Sequence, residues 1–336
     1  MFSTRKVKEK EGNYELRLII EPIEDDFCRF KDNFKIFVRS DVELLNFILK
    51  YITDQDGKKI RPILLLLSSG LCGDINEINI KSAAIVEILH TASLIHDDII
   101  DHADERRGLP TINNLWKNQL SVLVGDYLFS RVFRKAAELD NLEIMKILSI
   151  ISIRMTTGEI LQIESSEKFI IDEEKYFRII SDKTASLFSA CCEISAVIAR
   201  IGTARRNALK QFGEYLGIAF QVKDDLFEYN GEKKKTGKPK GVDIKNNSIT
   251  LPLIYSLNNC DKKERQNIIS SLKKGVGKEE IKNIISFVKR CGGIEYANEK
   301  ALYYAELAKS NLSLFDDSPY KKSLLKFVDF AVNREK

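Results

Sequence analysis

The chain holds 336 residues, 44% of them apolar and 30% charged, with a formal net charge of +4. This is ample material for a large core beneath a charged surface, and the balance gives no global electrostatic pull toward nucleic acid or an anionic membrane. Six cysteines without a CxxC pair, in a chain too large to need staples, read as the reduced thiols of a cytoplasmic protein.

Residues 1–35 are polar and mixed, lack the apolar stretch of a signal peptide, and are expected to form an arm or short helix. Residues 42–52 are amphipathic. Asp-Gly-Lys-Lys-Ile-Arg-Pro at 56–62 then opens a helix with proline in its first turn. Lys58 and Arg61 are thereby placed at a helix N-terminus, where backbone N–H groups and the macrodipole favour anions. Taken alone, the plainer reading of these two residues is solvated loop cations. The longest strongly apolar block, 63–67, is far too short to cross a bilayer.

From about residue 78 to Arg107 the chain runs without proline or glycine, which favours a buried helix over a strand. On that helix Asp97 and Asp101 share a face about 6 Å apart, with Asp98 about 100° round. Three carboxylates among Ile, Leu and Ala repel one another and cost desolvation, so a cation is needed to offset them. Hard oxygen ligands suit Mg²⁺, which binds one or two carboxylates together with substrate phosphates. A solvated acidic face is the alternative. Arg106 and Arg107 follow with fork-shaped donors for phosphate. Acids for a metal, then arginines for phosphate, suggest a diphosphate held through Mg²⁺.

Gly-Leu-Pro-Thr at 108–111 breaks the helix. Residues 115–139 are helical and aromatic-rich, and 142–166 and 173–200 continue in helical period up to a stop at Gly202. Another helix covers 207–229. There is no run of alternating strands and no repeat, so the expected fold is all-α, a bundle of about ten or more helices. Near its end that helix carries Asp224, Asp225 and Glu228, the same i, i+1, i+4 spacing as 97, 98 and 101. Facing each other, two such clusters would cage several Mg²⁺ ions around a diphosphate. Residues 229–248 show no apolar periodicity and carry six lysines between 233 and 245. They read either as a solvated run or as an anion-binding lid. From 260 to 336 the chain is helical and charged, without a chemical motif.

Over about residues 40–257 this order of motifs resembles the trans-isoprenyl diphosphate synthases, most closely the bacterial polyprenyl (octaprenyl-like) synthases. The resemblance rests on GKKIRP, LHTASLIHDD, DDIIDHADERRG, VGDYLF, GEILQIE, DKTASLF, FQVKDDLFEYNGEKKKTGKPKGVDI and ITLPLIY. It implies the isoprenoid synthase fold, one domain over 1–336 whose helices surround a central active-site cavity, with 229–248 as the lid. It also implies Mg²⁺ as cofactor and a homodimer as assembly. Asp97, Asp98 and Asp101 match the first metal-binding motif. Asp224 and Asp225 open the second, in which Glu228 replaces the usual aspartate. Lys58, Arg61, His90 and Arg107 match positions that hold isopentenyl diphosphate. Arg106, Lys183, Thr184, Gln221 and Lys238 match positions around the allylic diphosphate, and Asp243 is a supporting partner in the lid.

The activity so implied is head-to-tail prenyl transfer, with released pyrophosphate as the proton acceptor. Bulky residues at Ala92 and Ser93 would block the elongation pocket, so two small ones indicate a long product, octaprenyl diphosphate for quinone side chains. Leu89 lies a turn further down, and Phe129 and Phe133 are either the pocket floor or ordinary core. A shorter-chain synthase and a non-catalytic partner subunit are the alternatives. His90, His96 and His102 recur every six residues, about 240° apart on a helix, which argues against zinc. A terpene cyclase would leave the paired arginines and GKKIRP unexplained.

Overall fold

A computed structural model of the chain describes residues 14–55, 57–106, 108–230, 242–245 and 248–334. Helices dominate, as the periodicity predicts. The first is α1 (14–20), continued by a 3₁₀ turn at Glu21–Ile23 into α2 (Glu24–Phe37). Then come α3 (Glu43–Thr53), α4 (Ile60–Cys72), α5 (Glu77–Ile100), α6 (Ile112–Ala137), α7 (Leu142–Lys168), α8 (Glu173–Ile180), α9 (Ser186–Ile198) and α10 (Thr203–Asn230). A one-turn α11 (Val242–Lys245) and the helices α12 (Leu251–Asn258), α13 (Lys262–Lys274), α14 (Lys278–Arg290), α15 (Gly293–Asn311) and α16 (Pro319–Asn333) complete the order. The only sheet among the described residues is a two-stranded antiparallel hairpin, β1 (Glu105–Arg106) on β2 (Leu109–Pro110).

The bundle is built around α5. Asn76 caps its start by accepting from the backbone N–H groups of Ile78 and Asn79. Helices α2, α4, α6 and α9 pack round it, so Ile80, Ala83, Ile85, Val86, Ile88 and Leu89 are fully buried on every side. It is the one helix among the described residues long and apolar enough to cross a membrane, and 67% of that apolar window is buried within the fold.

Four local features differ from the expectation. Residues 24–37 are a full core helix rather than an arm. Phe27, Phe30, Phe34 and Phe37 recur every three or four positions and pack inward, each side chain contributing about 1.5–3 kcal/mol by burial. The break at 108–111 is a hairpin that turns the chain back over the end of α5. Helix α6 bends at Lys117, whose φ of +67° interrupts its first turns. The segment 173–200 is two helices joined by a π-helical turn, Ser181–Ala185, in which the Ser186 N–H reaches back to the Ser181 carbonyl. Residues 1–13 lie outside the described part, as does most of the expected lid at 229–248.

Candidate active site

Both carboxylate clusters sit at helix C-termini, where the macrodipole is negative and acids are held against their preference. Asp101 caps α5, its N–H donating to the Asp97 carbonyl at 2.8 Å. Burial pushes the Asp97 carboxyl from an ordinary 3.8 up to about 7; Lys183 pulls it back down and Glu159 adds to the rise. Asp98, only 7% exposed, is gripped by Arg106, whose Nε and terminal nitrogen lie 2.8 and 2.6 Å from one oxygen. The hairpin makes this possible by aiming β1 back at the acids that precede it. The structure thus places Arg106 on the first carboxylate cluster.

The second cluster lies in the last turns of α10. Thr184 donates to the Gln221 side-chain carbonyl at 2.8 Å, and Gln221 donates to Asp225 at 2.8 Å. The buried Tyr176 hydroxyl donates to the other Asp225 oxygen at 2.7 Å. Asp224 pairs at 2.7 Å with Arg334, whose side chain is 6% exposed and stacks 3.5 Å over the Phe220 ring. Burial lowers the Arg334 pKa, and Asp224 opposes the drop. Glu228 follows half-buried, one turn beyond Asp224.

The π turn joins the two clusters through consecutive residues. The Lys183 ammonium lies 2.5 Å from Glu159 and 3.1 Å from the Gln162 carbonyl on α7. Burial alone would lower its pKa, but Glu159, Asp97 and Asp101 together raise it, so it stays charged beside the first cluster. Thr184, the next residue, reaches the second cluster through Gln221. The turn lies so close to α7 that a Cβ on Gly158 would sit 2.5 Å from the Lys183 backbone nitrogen.

A third group stands at the start of α4. Lys59, at a φ of +49°, occupies the N-cap and ties back to buried Glu87 at 3.0 Å. One residue either side of this anchor, the chain presents Lys58 outward and Ile60 into the helix. Arg61 lies 2.8 Å from the His90 ring nitrogen on α5 and over the Phe188 ring of α9. Lys58 sits over Phe330 of α16. The structure therefore brings Lys58, Arg61 and His90 to one end of α4, while Arg107 and Lys238 lie outside the described residues.

Leu89 and Ala92 are fully buried below Asp97, and Ser93 donates to the His90 carbonyl at 2.8 Å. Phe129 stacks on His96 at 5.7 Å, at the edge of the α5–α6 contact. Phe133 is 45% exposed, so within one chain it is not ordinary core. Positions 124, 128 and 132 point inward on α6, and 133 lies about 100° round from 132. Val124, Leu128 and Val132 carry that face instead.

Among the described residues no three acidic, histidine or cysteine side chains converge on one point as a ready-made metal cluster. The donor set still fits a hard divalent cation: all-carboxylate, at two negative helix ends, with burial holding Asp97 at about 7 against the pull of Lys183. An ion that keeps waters and takes substrate oxygens needs no complete protein cage. Sequence reading quoted the segment that holds Glu159 and Gln162 without giving either a role. It missed Tyr176 and Arg334 altogether. No local pattern marks either: a tyrosine in an amphipathic helix and an arginine in a charged tail gain meaning only from what folds against them.

The chain is similar in sequence and fold to known proteins. The family model described as Polyprenyl synthetase matches residues 42–288. The octaprenyl diphosphate synthase of Escherichia coli K12 is 33% identical over 299 residues, 89% of this chain and 93% of its own. An all-trans-nonaprenyl-diphosphate synthase (geranyl-diphosphate specific) from Rhodobacter capsulatus is 34% identical over 94% of this chain and 97% of its own. The crystal structure of polyprenyl synthase from Caulobacter crescentus CB15, complexed with calcium and isoprenyl diphosphate, has a TM-score of 0.91 at 30% identity. It covers 96% of this chain and 98% of its own.

Proposed function

The chain belongs to the polyprenyl synthetase family, and from that premise we propose a Mg²⁺-dependent synthase that condenses isopentenyl diphosphate with an allylic diphosphate into a long all-trans polyprenyl diphosphate. The observation that carries this reading is the π turn, whose consecutive residues set Lys183 in the field of the first acid cluster and tie Thr184 through Gln221 to the second. Two acidic helix ends with a half-buried ammonium beside the first are what an allylic diphosphate needs at its leaving end.

Asp97, Asp98 and Asp101 on one side, and Asp224, Asp225 and Glu228 on the other, would hold the ions. Bound there, Mg²⁺ supplies charge that stabilises departing pyrophosphate. Lys183, Thr184, Gln221, Arg106 and Lys238 bind and orient the allylic diphosphate, and their positive charge and donors favour its departure. Lys58, Arg61, His90 and Arg107 hold isopentenyl diphosphate so that its double bond meets the allylic cation. A proton then leaves the new chain, with the released pyrophosphate as acceptor. The apolar walls of α5 and α6 keep water from the cation.

Ala92 and Ser93 put only small side chains just below Asp97, which supports a long product, octaprenyl in our reading. Leu128 and Val132 are the α6 side chains that would meet its tail. The whole chain is read as one catalytic domain working in the cytoplasm. It pairs as a homodimer through α6 and α7, which leave Val122, Leu123, Ile150, Ile153 and Ile160 exposed.

The test is incubation of the pure chain with Mg²⁺, isopentenyl diphosphate and an allylic diphosphate, followed by sizing of the dephosphorylated products. A ladder ending at a long polyprenol is expected. No condensation with any allylic starter would overturn the assignment.

A further inference from the structure

At the start of the π turn lies a charged group that the reaction as described does not use. Arg154 of α7 donates through Nε to Asp182 at 2.7 Å and through a terminal nitrogen to the Ser181 hydroxyl at 2.9 Å. The same guanidinium grips both Glu214 oxygens of α10, at 2.7 and 3.1 Å. The Ser181 hydroxyl also donates to Glu214 at 2.5 Å, and Arg178 approaches Asp182 at 3.9 Å. One planar fork therefore ties α7, α10 and the first two residues of the π turn together. Lysine, with a single point of charge, has no geometry for this.

Three physical points give the cluster a purpose. A π turn carries one residue more per turn than an α-helix, is rarely stable alone and recurs at functional sites, so it needs outside support. A partly buried ion cluster adds little net stability, because desolvation offsets its attraction, so its effect falls on geometry. Burial by itself would lower the Arg154 pKa; Glu214 and Asp182 outweigh it, so the fork stays charged. The same turn is also hemmed in sterically. A Cβ at Gly217 of α10 would lie 2.5 Å from the Ala185 Cα, as one at Gly158 would from the Lys183 nitrogen.

We infer that Arg154 and Glu214 are positioning residues for the allylic-diphosphate side of the reaction, clamping Ser181 and Asp182 so that Lys183 and Thr184 are aimed at the two acid clusters. The inference rests on the synthase reading above. Neither residue touches substrate; each acts through the turn. A shift of about 1 Å in groups that hold a reacting partner can cost about 10²-fold, which is the scale on which a loosened turn would be felt.

The experiment uses the full chain with Arg154→Met, Arg154→Lys and Glu214→Gln. KM is measured for each substrate at saturating partner, alongside Tm and amide exchange over residues 182–186. The expected result is a KM for the allylic diphosphate raised by about tenfold or more in Arg154→Met and Glu214→Gln. The KM for isopentenyl diphosphate should stay put, and exchange in the turn should quicken. Arg154→Lys should fall between wild type and Met. If both KM values rise together, or only Tm and kcat fall, the cluster merely holds the fold and the inference is wrong. Should Arg154→Met fail to fold, Glu214→Gln decides alone, since it keeps the shape of the side chain. If the wild-type chain does not condense prenyl diphosphates, the functional reading fails instead. The clamp is then judged on exchange, and unchanged rates over 182–186 in the folded variants would overturn it.

Discussion

Asp97 illustrates how much a single residue carries. Its carboxyl, raised by burial from 3.8 to about 7, is protonated in both folded and unfolded chain at low pH and ionised in both above 7. Between those values the unfolded state ionises first, so the raised pKa withdraws stability as pH climbs from about 4 to 7, and the loss persists above. In chelator-treated protein, Asp97→Asn should therefore raise Tm above wild type at pH 8, with the gap closing toward pH 4. Thermal scans at several pH values check this; a gap that does not close on acidification would mean burial is not what lifts the carboxyl. The same substitution should cut turnover by orders of magnitude, since an amide is a far weaker ligand for a hard cation. Tyr176 and Gln221 show the reverse economy. They touch Asp225 with neutral donors, fixing its direction without cancelling its charge.

At the scale of elements, the proposed product length rests on the contact between α5 and α6. Ala92 is fully buried on α5, below the first acids, and Leu128 and Val132 are buried on the inward face of α6. Ala92→Phe should drop a ring across that space and shorten the main product to a few isoprene units, while condensation continues because no ligand changes. Overpacking at such a site costs about 1–3 kcal/mol, so a lower Tm should accompany it. Leu128→Ala should lengthen the product and Phe133→Ala should leave it unchanged, given that Phe133 points outward. Chromatography of dephosphorylated products separates these outcomes. A longer product from Phe133→Ala would show that the outer face of α6 belongs to the pocket after all. An unchanged product from Ala92→Phe would place elongation elsewhere.

For the molecule as a whole, the exposed row on α7 is the feature that a lone chain leaves unexplained. Ile153 and Ile160 are 66% and 61% exposed, seven residues apart and so on one face of the helix, with Ile150 beside them. Burial against a second copy would remove this apolar row from water at about 25 cal/mol per Å². Ile153→Lys combined with Ile160→Lys should give a monomer by light scattering while the helical circular dichroism is kept. A dimer surviving both substitutions would mean the pairing surface lies elsewhere. The N- and C-terminal thirds meet across the same body. The phenylalanines of α2 and those of α16 join one continuous core with α4, α5 and α9.

What the sequence determined by itself was the local chemistry: helical period throughout, two carboxylate clusters of equal spacing, and the basic residues set near them. These are legible because helix geometry converts spacing directly into a shared face. The fold class follows from the same periodicity. The tertiary structure alone decided which groups meet. The hairpin that carries Arg106 back to Asp98 depends on a chain reversal, and the pair between Asp224 and Arg334 spans 110 positions. The π turn that sends Lys183 and Thr184 to separate clusters differs from a regular helix by one residue, a change that composition does not register and that only packing against α7 and α10 sustains. Phe133 lies outside the core for a related reason. Its sequence position is one residue beyond an inward one, and on a helix a single residue is enough to move a side chain from core to surface.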